Sequence, residues 1–157
     1  MRRAMDDTPR TAKARYDDDA YGWAFEQAAL LRAGRWSDLD IEHLADEIES
    51  VGRTEADKLE SALRLVLMHL LKWDHQPDKR TRSWTITIAN QRDRATRFLK
   101  ENRSLKPRLG DIIADAYRLA RREASGETDL DLAVFPEACP YDFDTLMTRP
   151  VEWPPAG

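Results

Sequence analysis

The sequence has little cysteine and no long apolar run. Cys139 is the one cysteine among 157 residues, so no disulfide can form within the chain, and a reducing compartment such as the cytoplasm is expected. No apolar run exceeds four residues, as in Leu65–Met68, whereas a membrane-spanning helix needs about 20. Arg2 and Arg3 are not followed by the apolar segment of a signal peptide. We therefore expect a cytoplasmic protein that does not bind membranes.

The sequence also lacks the familiar catalytic motifs. It contains no glycine-rich phosphate loop, no Gly-x-Ser-x-Gly elbow and no Cys/His cluster for zinc. Asp40, His43 and Glu47 would place three candidate metal ligands on one helix face, but no second helix repeats the pattern, as a di-iron site requires. We expect these residues to form a solvated acidic face, and we expect no metal and no cofactor.

Charge is unevenly distributed along the chain, although the net charge is only −4. Residues 38–60 carry nine acidic and two basic residues, a local charge of −7. Residues 79–108 carry ten basic and two acidic residues, a local charge of +8. Helices of opposite charge that pack side by side would explain this pattern. A surface that binds anions or nucleic acid, or a contact between subunits, would explain it as well.

Most of the chain has the apolar spacing of amphipathic helices. The sequence predicts an all-α fold, a compact bundle of four to five main helices with a C-terminal extended strap and a short helix near Asp144. Residues 1–15, with five basic residues, are predicted to form a disordered tail. Residues 16–153 would form a single helical domain, and residues 154–157 a second tail.

The first two helices have recognisable start signals. Asp17, Asp18 and Asp19 are N-cap candidates for a helix that runs to about Ala33 and stops at Gly34. The residues predicted to face inward on this helix are Tyr21, Ala24, Phe25, Ala28 and Leu31. Ser37 opens the next helix in a capping-box pattern, with Asp40 as the alternative cap.

The second helix has an apolar stripe that falters at Gly52. The residues of this stripe are Leu44, Ile48, Val51, Leu59, Leu63, Val66, Leu70 and Trp73. A glycine inside a helix costs only about 1 kcal/mol relative to alanine, and no proline lies nearby. We favour one long helix that ends before Pro77 over two helices with a break at Gly52.

Later segments are also predicted to be helical. Residues 84–88 alternate like a strand, but no second strand is available to pair with them, so a helix capped by Ser83 is favoured. Its stripe consists of Trp84, Ile88, Gln91, Ala95 and Phe98. A fourth helix has Pro107 in its first turn and fades by Gly126.

Several polar residues interrupt apolar faces and form the candidate ligand-binding set. The candidates are Glu47, His69, Lys72, Trp73, Arg82, Trp84, Gln91 and Arg92. His69 and Gln91 could be hydrogen-bonded core residues that fix the register of their helices. Alternatively, His69, Lys72, Arg82 and Arg92 could surround a pocket opposite Glu47, in which the histidine acts as a general base or binds an anion.

Trp73 and Trp84 flank a basic loop, an arrangement that can bind single-stranded nucleic acid by stacking and phosphate contacts. Both tryptophans also fit apolar helix stripes, and packing in the core is the simpler interpretation. Nucleic-acid binding through Lys79–Arg108 is therefore kept as an alternative.

An ordered set of short motifs resembles a known family. The motifs are Asp46-Glu47-Ile48-Glu49-Ser50-Val51-Gly52-Arg53, His69-Leu70-Leu71-Lys72-Trp73, Gln76-Pro77, Ser83-Trp84, Gln91-Arg92, Ala116-Tyr117, Ala120-Arg121 and Phe135-Pro136-Glu137-x-Cys139-Pro140-Tyr141. In this order the chain resembles the bacterial family catalogued as domain of unknown function 29, from about Tyr16 to Trp153. The resemblance implies an all-α, single-domain bacterial protein and supplies no activity.

The functional expectation is a non-enzymatic helical interaction module that binds a protein partner or a second copy of itself. The helical periodicity, the segregated charge and the missing catalytic motifs favour it. In a homodimer, the acidic stretch of one copy could face the basic stretch of the other. The alternatives are a small enzyme or anionic-ligand-binding domain centred on His69, and nucleic-acid binding through Lys79–Arg108.

Overall fold

The computed structural model of the chain describes residues 12–155, and these residues contain helices but no strands. The described α-helices are α1 (Ala12–Asp18), α2 (Ala20–Arg32), α3 (Ile41–His75), α4 (Arg82–Glu101), α5 (Leu109–Thr128) and α6 (Phe143–Thr148). Short 3-10 turns lie in the connections between them. The predicted all-α fold is confirmed. The predicted tail of residues 1–15 lies outside the described residues except for its last four, which belong to α1.

Helix α3 runs without interruption through Gly52 for 35 residues and ends before Pro77, as predicted. The described chain nevertheless forms two compact units, and the boundary between them falls inside α3, between Gly52 and Arg53. The first unit contains α1, α2 and the start of α3. The second contains the rest of α3 and all later elements.

The second unit contains a large hydrophobic core. The part of α3 from Leu59 to Trp73 buries one apolar side chain after another, and α4 and α5 contribute further residues. The fully or almost fully buried members of this core include Leu59, Leu63, Val66, Leu67, Leu70, Leu71, Ile88, Phe135 and Leu146. The predicted stripe of α3 is therefore correct for its second half.

The first unit buries few apolar side chains, and here the predicted inner stripe of α2 is wrong. Tyr21, Phe25 and Leu31 are exposed, whereas α2 buries Trp23 and Gln27. Trp23 and Gln27 are four positions apart, so they share one face of the helix. The stripe of Tyr21 and Phe25 points away from that face because a step of two residues rotates the helix by about 200°.

Two predicted caps also need correction. Asp40 immediately precedes α3, and its carboxylate accepts a hydrogen bond from the backbone N–H of His43, so the alternative cap is the right one. Helix α4 begins at Arg82, and its cap is Thr81, whose hydroxyl accepts from the N–H of Trp84, rather than Ser83. Asp19 caps α2 as expected, by accepting from Gly22.

The C-terminal segment, residues 129–155, is part of the second unit and contains one short α-helix, α6, as predicted. Phe135, Tyr141 and Leu146 are its buried anchors in the core of that unit. The backbone of this segment has polar groups outside helices, and side chains of α4 and α5 donate to several of its carbonyl oxygens. Of the polar candidates from the sequence, Arg92 is such a donor.

Candidate functional site

His69 lies on α3 half-buried, and its imidazole Nδ1 is 2.8 Å from the carbonyl oxygen of Leu65, one turn earlier. Burial lowers the pKa of His69, and the positive charge of Lys72 lowers it further. The hydrogen bond to Leu65 and the carboxylate of Glu127 act in the opposite direction but are outweighed. At neutral pH, the neutral imidazole is therefore the favoured form in the folded protein.

Lys72 is buried, with 8% of its surface exposed, and its charge is compensated from two sides. Its Nζ donates to Oε2 of Glu127 on α5 and lies 4.6 Å from the ring centroid of Trp84 on α4. An ammonium group over an indole face is stabilised by the ring quadrupole. The structure therefore brings His69, Lys72 and Trp84 together. The carboxylate of this cluster is Glu127, which the sequence pattern did not indicate.

Trp73 and Arg82, two further candidates, have different environments. The indole of Trp73 is buried, and the guanidinium of Arg80 stacks over it at 4.7 Å while donating to the carbonyl oxygen of Trp73. Arg82 is the exposed first residue of α4, and its carbonyl oxygen accepts from the hydroxyl of Thr85. Arg80 therefore fixes the turn between α3 and α4.

Arg92 faces the C-terminal segment from α4. Arg92 donates from Nε to the carbonyl oxygen of Leu146 at 2.9 Å and from Nη1 to that of Arg149 at 2.8 Å. Its Nη2 and the Oε1 of Gln91 are buried without a hydrogen-bond partner among the described residues. Arg92 thus holds the end of α6, and the contacts that occupy it are backbone carbonyls.

Asp74 holds the same segment through a second set of contacts, which we call the Asp74 clamp. Arg149 donates to both carboxylate oxygens, at 2.5 and 2.8 Å, and the hydroxyl of Tyr141 donates at 2.6 Å. Burial alone would raise the pKa of Asp74, but the hydrogen bonds from Arg149 and Tyr141 outweigh it and hold the pKa below its ordinary value. The sequence offered one signal for this clamp, because Arg149 is the only basic residue after Glu127.

Two residues of α5 also anchor this segment. The hydroxyl of Tyr117 donates to the carbonyl oxygen of Pro136 at 2.6 Å, and Arg121 donates to that of Phe135 at 3.0 Å. The thiol of Cys139 contacts the carbonyl oxygen of Tyr141, and burial raises its pKa. Reactive cysteines have a lowered pKa, so the shift of Cys139 is in the opposite direction.

The first unit has its own polar cluster, in which Asp40 is the shared partner. Nδ1 of His43 lies 2.7 Å from Oδ2 of Asp40, and the indole N–H of Trp23 donates to the same oxygen at 3.1 Å. The amide oxygen of Gln27 accepts from the backbone N–H of Asp40. Burial would raise the pKa of Asp40, but hydrogen bonds from His43 and Trp23 lower it overall. This cluster joins α2 to the start of α3.

Tyr16 completes that cluster. Its ring stacks on the imidazole of His43 at 4.1 Å, and its hydroxyl donates to Oε1 of Glu47 at 2.6 Å. Glu47 therefore has a tyrosine partner inside the first unit, while the carboxylate that Lys72 contacts is Glu127. Within residues 12–155, no group of three or more His, Cys, Asp or Glu side chains is arranged to hold a metal ion.

Large exposed apolar side chains are concentrated in the first unit. Of the twelve found among the described residues, seven precede Gly52. Ile41, Ile48 and Val51 are 63%, 71% and 66% exposed, and Leu44 between them is half-buried. Their spacing of three, four and three residues places them in one stripe along α3. We refer to these four residues as the α3 stripe.

None of the described helices is long and apolar enough to cross a membrane. No curated protein and no solved structure matches the chain. A family model does match it, over residues 15–151, and that family is described as a domain of unknown function, DUF29. The match covers nearly the whole chain and includes both units and the anchored C-terminal segment. The chain is a member of the DUF29 family.

Proposed function

We propose that this protein is a non-enzymatic helical interaction module that binds a second copy of itself through the α3 stripe. The observation that carries the proposal is the exposure of Ile41, Ile48 and Val51 at the spacing by which one helix packs against another. Exposed apolar patches of this kind are a usual feature of protein–protein contact surfaces. By contrast, His69, Lys72 and Arg92 already contact groups inside the second unit.

Charge supports a second copy as the partner and indicates which surface it offers. The α3 stripe lies in the acidic stretch of residues 38–60, so two stripes facing each other would bring two local charges of −7 together. The basic stretch Lys79–Arg108 is the complementary surface. On α4 it exposes Arg94 and Arg97, whose guanidinium groups lie along the ring of Phe98. Two-fold symmetry would form this contact twice in a dimer.

Light scattering in low and high salt tests the proposal. We expect a dimer at about 50 mM salt that weakens at about 500 mM, because exposed charges are screened over a shorter distance as salt increases. Ile48→Asp should give a monomer. The matched control is Val134→Asp, which changes an exposed apolar residue outside the stripe and should leave the dimer intact.

Mixing two defective variants separates direct contact from misfolding. Arg94→Glu/Arg97→Glu should also be monomeric, whereas Arg118→Glu/Arg122→Glu, with exposed arginines on α5, should remain a dimer. A mixture of Ile48→Asp with Arg94→Glu/Arg97→Glu should associate again, because one stripe and one basic surface are intact. A wild-type protein that is monomeric in every salt concentration would overturn the proposal, as would a dimer that Ile48→Asp leaves unchanged.

The same samples address nucleic-acid binding through Lys79–Arg108, which salt would also weaken. An electrophoretic mobility shift with single-stranded DNA and RNA at about 50 mM salt distinguishes nucleic-acid binding from self-association. A shift that Arg94→Glu/Arg97→Glu abolishes and Ile48→Asp does not would assign the basic stretch to nucleic acid instead.

A further inference from the structure

We propose that a groove in the second unit binds an amphipathic anion, a small molecule with a negatively charged head and an apolar chain. This site is separate from the α3 stripe, and its three cations belong to the basic stretch Lys79–Arg108 that the proposed self-association also uses. The groove has a volume of about 480 Å³ and lies between the end of α4, the 3-10 turn Arg103–Arg108 and α6. Its lining residues are Thr96, Leu99, Lys100, Arg103, Lys106, Phe143 and Met147.

The charge of the groove is of one sign. Lys100, Arg103 and Lys106 line it, and no carboxylate does. Among the described residues, none of these three cations forms an ion pair, whereas Arg64, Lys72 and Arg149 each have a carboxylate partner. Three unneutralised cations around one concave surface create a positive potential that attracts an anionic group.

The floor of the groove is apolar. Leu99 and Met147 belong to the core of the second unit or pack against it, and Phe143 extends this surface towards solvent. Methionine is flexible and polarisable, so it adapts to apolar chains of different shape. A volume of about 480 Å³ falls in the range of small-molecule sites, which combine apolar walls with a few polar groups that fix orientation.

These two properties together define the ligand class. A small inorganic anion would leave the apolar floor uncovered, and a neutral apolar molecule would leave three cations without a partner. A carboxylate, phosphate or sulfonate attached to an apolar chain satisfies both parts of the surface. Helix α6 fixes the apolar wall, because Asp142 caps it and the carbonyl oxygen of Leu146 accepts from Arg92.

Isothermal titration calorimetry with decanoate, below its micelle concentration, tests the site, and decanol is the uncharged control. We expect decanoate to bind saturably, and decanol to bind at least about tenfold more weakly, because charge-assisted hydrogen bonds to the head are missing. Binding of both with equal affinity would overturn the proposal, and so would the absence of any binding.

Variants of exposed residues locate the site without disturbing the core. Arg103→Gln/Lys106→Gln should remove the preference for decanoate over decanol, and Phe143→Ser should weaken both ligands. Arg118→Gln/Arg122→Gln, which removes two exposed arginines from α5, should change neither. A preference for decanoate that survives Arg103→Gln/Lys106→Gln would overturn the assignment to this groove.

Sedimentation with phosphatidylglycerol vesicles distinguishes a free ligand from a lipid at a membrane surface. If the groove takes a free amphipathic anion, the protein should remain in the supernatant while decanoate binds in solution. Sedimentation that Arg103→Gln/Lys106→Gln abolishes, together with decanoate binding, would identify the lipid as the source of the same chemistry. Sedimentation without decanoate binding would overturn the proposal.

Discussion

His69 shows at the residue scale how burial sets protonation in this protein. Burial lowers its pKa, so the neutral imidazole is the form that stabilises the fold. This contribution is fully present above the unfolded-state pKa of about 6.5 and is lost as the pH falls through the lower pKa of the folded state. We expect the free energy of unfolding to decrease as the pH falls below about 6.5, and His69→Gln to reduce this dependence.

Two measurements check this prediction. NMR titration of the three imidazoles, assigned with His69→Gln, should give an apparent pKa below 6.5 for His69. Urea unfolding at the pH values of the titration gives the free energy of unfolding as a function of pH. The difference between wild type and His69→Gln removes the contributions of His43 and His75. A pKa at or above the ordinary value would contradict the prediction and would favour a site centred on His69.

Asp74 is the second residue whose protonation matters, because it holds the C-terminal segment through Arg149 and Tyr141. Its lowered pKa means that this contribution is present above the ordinary value of about 4 and is lost as the pH falls below it. Asp74→Asn leaves Arg149 without its carboxylate, and we expect a loss of about 1–3 kcal/mol in the free energy of unfolding at neutral pH.

The matched control for Asp74→Asn is Asp115→Asn. Asp115 pairs with Arg118 three residues away on α5, and both side chains are exposed. Exposed ion pairs contribute about 0–1 kcal/mol, so this change should be nearly neutral. Urea unfolding at pH 7 compares the two variants. Equal effects would show that the Asp74 clamp behaves like a surface pair and does not secure the segment.

The continuity of α3 leads to a prediction at the scale of the element. Gly52 lies inside this helix, and a Cβ atom added there would meet no other atom within 4 Å. Gly52→Ala should therefore raise the free energy of unfolding by about 1 kcal/mol, because alanine loses less backbone entropy in a helix. Thermal or urea unfolding measures it, and a destabilised variant would contradict the uninterrupted helix.

Gly34 provides the contrasting control. It lies in the connection that follows α2, with φ = +68°, in the left-handed region that disfavours a side chain. Gly34→Ala should lower the free energy of unfolding by about 1 kcal/mol. The same chemical change should thus have opposite signs at two glycines, which separates helix propensity from a general effect of alanine.

A helix and its buried face could be predicted from the sequence where one face of the helix was clearly apolar. The second half of α3 has uninterrupted apolar spacing, and its position and buried face were predicted correctly. In α2 the more apolar face is the exposed one, and Trp23 and Gln27 are buried because they contact Asp40. Hydrophobicity alone could not identify that face, since its burial depends on polar contacts formed only after folding.

The polar candidates show the same limit. Lys72 and Trp84 were identified as unusual, but Glu127 was not, because nothing in the local sequence distinguishes it from other exposed carboxylates. Arg92 was included in the alternative of a pocket around His69, and in the structure it donates to the backbone of Leu146 and Arg149. A contact with a carbonyl oxygen leaves no trace in residue type, so sequence reasoning cannot find such a partner.

At the scale of the whole molecule, burial is divided unequally between the two units. In the first unit the described residues bury Trp23 and Gln27, and the apolar core cluster lies entirely in the second. Regions with few buried apolar contacts open more readily than the core of the same protein. The unit that exposes the α3 stripe is therefore the one with less internal stabilisation, and binding of a second copy would stabilise it by mass action.

Native-state hydrogen exchange measures this difference. Amides of Leu63, Leu67 and Leu71 should exchange only through global unfolding, while amides of α2 should exchange faster, through opening of the first unit alone. Ile48→Asp, the stripe variant, keeps the comparison free of self-association. In the wild-type protein, α2 should gain protection as concentration rises if the stripe is the contact surface. Equal protection of α2 and the core of α3 in the variant would mean that both units open together and that the boundary inside α3 has no energetic counterpart.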